Sequence, residues 1–267
     1  MRKLRPSWRS GFLRAKSGRF FRGLARVPLK VRLLAAGIAV VAVLAAANWV
    51  FQAFRKPSEL FFPLDGALAK TPARTWAEYG SLFREHSTAV MTPELLAALA
   101  QAEGAGNPVA RTYWRWRVAW NPTEVYRPAS SAVGMYQITD ARFAEAKRYC
   151  IRNHVTVEDG AWHDLRSCWF NAFYFRVLPS DAIEMTSAFL DRRVAQTLAQ
   201  QRIGGATLQQ KQDLAAVIHL CGASVADAYA RRGFRPGARE RCGDHDLRAY
   251  LARLNALKRN FSLLSRA

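Results

Sequence analysis

The sequence predicts an all-α outer domain preceded by a single transmembrane helix, and three observations predict it. Residues 33–54 form an uncharged apolar run that directly follows a strongly basic segment. Beyond that run, apolar residues recur at helical three-, four- and seven-residue steps, and valine–isoleucine alternation is scarce. Four cysteines, Cys150, Cys168, Cys221 and Cys242, all lie after the apolar run, as expected of a domain folded in an oxidising compartment.

The basic preface comes first. Residues 1–32 hold eleven lysines and arginines and no acid, so more than half of the net charge of +20 sits in this short segment. A nucleic-acid-binding domain would spread that charge over a recognisable module, and none is present. A cytoplasmic tail that sets membrane orientation and meets anionic headgroups accounts for it instead.

The 22 uncharged residues that follow would span about 33 Å as a helix, enough for the hydrocarbon core of a bilayer. Trp49, Phe51 and Phe54 suit its far interface. A cleaved leader is the alternative, since residues 45–48 read AAAN, but the basic region and the apolar run are both long for one. An uncleaved anchor of the inner (cytoplasmic) membrane is therefore expected, with everything after about Lys56 outside. A stem at 55–74 and a domain at 75–267 complete the organisation, without internal repeats.

Within 75–267 the helices announce themselves by caps and stripes. Thr92-Pro93-Glu94 pairs a hydroxyl cap with proline and an acid in the first turn; the helix it opens should end near Gly104–Gly106. Asp140 is expected to cap a helix bearing Phe143 and Cys150, and Ser180-Asp181 one bearing Ile183, Leu190, Val194 and Leu198. Leu214, Ile218 and Cys221 mark a central buried helix. Leu247, Leu251, Leu254, Phe261 and Leu264 mark the last one. Residues 107–131 read as one long irregular insertion.

Two cysteine pairings between chain neighbours, 150–168 and 221–242, are preferred among the three that four cysteines allow. Zinc is the alternative, because His154 and His163 lie between the first two, and His219 and His245 flank the second two.

Glu103 carries the first chemical signal. It falls about 80° round the helical wheel from Leu95, on the leucine-bearing side of the helix that starts at Thr92. A carboxyl group at that C-terminus is desolvated and faces the negative end of the helix dipole. Both effects favour the protonated form that a general acid must keep.

From here the sequence resembles lytic transglycosylases of the soluble-transglycosylase type, whose catalytic helix ends in Glu-Ser-x-x-Asn-Pro, followed by Gly-Ala-x-Gly-Leu-Met-Gln-Ile. This chain has Glu103-Gly104-Ala105-Gly106-Asn107-Pro108, then Ser131-Ala132-Val133-Gly134-Met135-Tyr136-Gln137-Ile138. The approach through Trp76, Tyr79 and Phe83 is similar as well, and the likeness covers roughly 76–140. It implies a lysozyme-like α fold in the periplasm with a groove for peptidoglycan glycan strands. Glu103 would be the acid and then the base in cutting between N-acetylmuramic acid and N-acetylglucosamine, leaving a 1,6-anhydro end. Neither metal nor cofactor is needed. Ser131, Gly134, Met135, Tyr136 and Gln137 would line the groove.

Three departures are visible. Gly104 replaces the family's serine. The interval from Glu103 to Gly134 is long, and its Tyr113, Trp114, Trp116, Trp120 and Tyr126 suit either stacking on sugars or a hydrophobic clasp. The later Ala-Tyr-Asn-Ala-Gly becomes Ile218-His219-Leu220-Cys221-Gly222, so His219 would stand in as the polar contact. Two rival functions follow. A hydrolase needs a second carboxylate, for which Glu124 is the candidate once Asp140 is assigned to a cap. A non-catalytic wall-binding component is the other, and the anchor would suit either a cutter or a scaffold beside an envelope-spanning secretion- or conjugation-type machine.

Overall fold

The computed structural model describes residues 28–64, 66–161, 163–164 and 166–266; most of the basic tail expected at 1–32 therefore lies outside the described residues. Helix α1 (Leu29–Arg55) is long and apolar enough to cross a membrane. Its apolar side chains are exposed along most of its length, as a lipid-facing helix requires.

The chain turns through 3₁₀ helix at Pro57–Leu64 and Gly66–Leu68, and Glu59 is fully buried. Its carboxylate sits 3.2 Å from Lys56 Nζ and 3.0 Å from Arg111 Nη1, and accepts a 2.8 Å hydrogen bond from Trp114 Nε1. The end of α1 is thus bonded to the insertion at 107–131.

Helix α2 (Pro72–Glu85) starts on a Thr71 cap and proline and leads to α3 (Pro93–Gly104), where Thr92 caps Leu95 N as expected. Leu95, Leu96, Ala97, Ala98, Leu99 and Ala100 are all buried. Small residues on the sides away from the leucines let neighbours approach all round α3, which packs on α2 and on α8 (Leu247–Leu264). Ala105 ends it in the left-handed conformation, φ 49°.

The insertion is partly ordered as an antiparallel hairpin, β1 (Trp114–Trp116) with β2 (Tyr126–Pro128), Trp114 opposite Pro128 and Trp116 opposite Tyr126. Helix α4 (Asp140–Ala146) corrects two expectations. Asp140 is its first residue and not its cap, and pairs with Arg176 at 2.8 Å. The helix also stops before Cys150, which lies on β3 (Tyr149–Arg152) paired with β4 (Val155–Glu158). The expected helical stripe lost because the Cys150–Cys168 bridge and the cross-strand bonds hold this segment extended.

Helix α5 (Pro179–Gln200) buries Ile183, Leu190 and Val194 as the stripe predicts. Ser180 and Asp181 sit in its first turn without capping it; Asp181 instead accepts from Phe175 N at 2.9 Å. Helix α6 (Leu208–Cys221) opens on a Thr207–Gln210 capping box and buries the whole stretch from Leu214 to His219. The buried helix that Leu214 and Ile218 mark is therefore present, and α3 is buried as well. Helix α7 (Ala223–Arg231) follows, then a short hairpin of β5 (Arg241–Cys242) and β6 (His245–Asp246), then α8. The fold is mostly helical with three small hairpins among the described residues, so all-α holds for the core and fails at its edges.

Both disulfides join chain neighbours, Cys150–Cys168 and Cys221–Cys242, with Cα atoms 5.6 and 5.2 Å apart. The bonded sulfurs are not the thiolates a zinc site needs, which decides against that alternative.

Candidate active site

Four helices meet at Glu103. From α3 it reaches the surface with its side chain 16% exposed. From α8, the Tyr250 hydroxyl donates to Glu103 Oε1 at 2.6 Å. From α6, His219 Nε2 stands 3.8 Å from the same oxygen. From α4, Arg142 feels the charge of Glu103 and donates to Ile218 O at 3.2 Å. The second disulfide strengthens this arrangement, because it ties the C-terminus of α6, just after His219, to the hairpin that launches α8 and Tyr250.

The neighbours keep their protons in defined states. Burial pushes His219 down to about 4, against the pull of Glu103, which favours the charged ring. The imidazole is therefore neutral near pH 7, and it hydrogen-bonds the backbone of Tyr136. Burial and the Glu103 carboxylate together push Tyr250 well up, so it remains a hydroxyl donor. The unfolded histidine titrates near 6.5, so between pH 6.5 and about 4 the unfolded chain holds the extra proton and stability falls with falling pH. His219 alone should cost roughly 2–3 kcal/mol between pH 7 and 4.5. Denaturant unfolding at the two pH values checks it: His219→Gln should show a correspondingly smaller loss than the parent, and equal losses would refute the buried neutral ring.

The residues 131–138 do a different job from that expected of most of them. Met135 and Tyr136 are fully buried, and Tyr136 Oη donates to Leu96 O at 3.1 Å; they are core beneath the site and not walls of a groove. Gly134 has φ 80°, and a Cβ there would run into the carbonyl of Arg176. That is a turn glycine's reason, not a ligand's. Gln137, itself at φ 48°, spends its amide N–H groups on Ala110 O and Gly134 O at 3.1 and 2.9 Å. Ser131 Oγ accepts from Asp140 N at 3.2 Å. Of the residues that the sequence nominates alongside Glu103, His219 alone is brought to the carboxylate by its side chain.

The turn also explains Gly104. A Cβ at this position would lie 2.8 Å from Met135 Cα and 2.9 Å from its carbonyl oxygen. Backbone cannot retreat as a flexible side chain can, so the serine of the resembled motif does not fit here. Gly104→Ser should destabilise the domain by about 1–3 kcal/mol, read as a lowered thermal midpoint; an unchanged midpoint would show that the turn yields freely.

Tyr250 and Arg142 escape a reading of the sequence. Tyr250 has a signal, since it stands three residues after Leu247 and next to Leu251 on the buried stripe, where a tyrosine hydroxyl demands a partner. Arg142 has none. Glu124 lies elsewhere: it pairs with Arg55 of α1 at 3.2 Å and with Arg127 at 3.7 Å. Compared with protein-family models, with curated proteins and with solved structures, the chain gives no match.

Proposed function

We propose that this chain is a membrane-anchored peptidoglycan lytic transglycosylase, with a lysozyme-like domain held outside the inner membrane by α1. The observation that carries the proposal is a mostly buried carboxylate, Glu103, held by a tyrosine hydroxyl beside a neutral histidine. The motif resemblance around Glu103 and Gly134–Ile138 supplies the substrate class.

One carboxyl group is enough for this reaction. Protonated Glu103 gives its proton to the oxygen between N-acetylmuramic acid and N-acetylglucosamine as the C1–O bond breaks. The carboxylate then takes the proton of the muramoyl 6-hydroxyl while its oxygen bonds to C1. The 1,6-anhydro ring closes and the acid is restored, so protons balance without water. An internal nucleophile of this kind acts at very high effective concentration. Tyr250 holds the carboxyl group in place through both steps. His219 stands beside it as an uncharged ring.

Hydrolysis by the two-carboxylate route is the less favoured reading, because its candidate second acid, Glu124, is committed to Arg55 and Arg127. The test is digestion of cell-wall sacculi by the purified chain, with products read by mass spectrometry. Anhydromuramoyl ends are expected. Reducing ends would make it a hydrolase, and binding without cleavage would make it a wall-binding component.

A further inference from the structure

The β1–β2 hairpin has a position and a surface that catalysis at Glu103 leaves unused. It lies against the C-terminal half of α1. Asn48 Nδ2 donates to Tyr126 O at 2.7 Å and Gln52 Nε2 donates to Thr123 O at 2.5 Å. These are two of the few polar side chains in the uncharged run, they stand one helical turn apart, and both serve hairpin carbonyls. Carbonyls held at membrane depth require such donors, since lipid offers none.

Strand alternation makes the ribbon two-faced. Within β1, Trp114 and Trp116 fall on one side and Arg115 on the other; Arg115, Arg117 and Val118 are exposed. Tyr126 packs between the two tryptophans, with ring centroids at 5.2 and 4.6 Å. Between this aromatic face and Val41, Leu44 and Ala45 of α1 runs an apolar groove of about 570 Å³. From Gln52 down to Val41 is about 16 Å along the helix, so the groove reaches well into the length that α1 would place in a bilayer. At the tip, Val118 and Trp120 are completely exposed, at 102% and 105%. Large apolar side chains so placed in water are costly unless something covers them.

We propose that the hairpin is a second membrane anchor. Lipid acyl chains fill the groove and cover Trp116, Val118 and Trp120, while Arg115 and Arg117 reach the headgroup phosphates. Tryptophan suits that depth, and arginines on long stems reach the interface from it. With α1, the hairpin gives the domain two footholds joined rigidly through Glu59, so Glu103 is held at a fixed height and tilt above the membrane. The inference rests on α1 as a membrane span and not on the transglycosylase reading.

All four native cysteines are bonded, so single introduced cysteines can be labelled. The full chain carrying Val118→Cys, Ile38→Cys or Leu263→Cys, each with an environment-sensitive fluorophore, is reconstituted into phosphatidylcholine–phosphatidylglycerol vesicles and challenged with spin-labelled lipid. The labels at 38 and 118 are expected to lose most of their emission, and the label at 263, on exposed α8 surface, to keep it. Quenching at 38 with none at 118 overturns the hairpin anchor and leaves the span intact. No quenching at 38 overturns both. A label at 118 that is shielded only by added glycan fragments, or only at concentrations where the chain self-associates, also overturns it, in favour of a sugar or a second copy as the occupant.

Discussion

Glu103→Gln is expected to lower the rate of glycan cleavage by about 10²–10⁴-fold, the contribution typical of a positioned general acid–base group, and to leave the fold unchanged. The glutamine carbonyl can still accept the 2.6 Å bond that Tyr250 gives to Oε1, and it is uncharged, so it leaves the surrounding burial as it is. What it cannot do is release or take a proton. Sacculus digestion with counted anhydromuramoyl ends reads the rate, and thermal unfolding reads the fold. A variant that unfolds like the parent and cuts at the parent's rate would remove Glu103 from the chemistry. One that neither cuts nor binds glycan would place the residue in recognition as well.

The same residues show how far a sequence can be read. Glu103 is legible as a candidate because three local signals coincide at it: a capped start at Thr92, a leucine face, and a glycine-rich stop at Gly104–Gly106. The helical stripes at Ile183–Val194 and Leu247–Phe261 are legible for the same reason, since periodicity within a helix is local information. The segment from Asp140 to Cys150 misleads because its outcome is decided at a distance. Arg176 claims Asp140 across 36 residues of chain, and Cys168 draws Cys150 into a strand. Met135 and Tyr136 look like groove residues only through the motif they belong to. The motif records where the backbone turns, and burial of the side chains follows from the packing of α3 on that turn. Tyr250 shows the converse. Its partner lies 147 residues away, and the pairing becomes visible only when α8 is laid along α3.

The segment that follows α1 carries the second large prediction. Glu59 falls in a segment that reads as a linker, yet its carboxylate is wholly buried between Lys56, Arg111 and Trp114. Breaking a buried ion pair by removing one member costs about 3–5 kcal/mol, because the other member keeps its burial and loses its counter-charge. Glu59→Ala should therefore lower the thermal midpoint of the domain by about 10 °C, at 2–4 °C per kcal/mol for a chain of this size. Lys56 remains bonded to Ser130 O at 3.2 Å, which keeps the loss toward the lower end of that range. A second substitution separates a charge effect from a packing effect. Adding Lys56→Met to Glu59→Ala removes the stranded ammonium group and should recover a substantial part of the midpoint, whereas packing loss alone would make the double variant worse. Because Glu59 lies where α1 meets the insertion, the single variant should also loosen the hairpin from α1 while the Glu103 site, held by α3, α6 and α8, keeps its geometry. Faster hydrogen exchange confined to residues 111–130, with the α3 amides still protected, is the expected pattern; uniform loss of protection would show instead that Glu59 supports the domain as a whole.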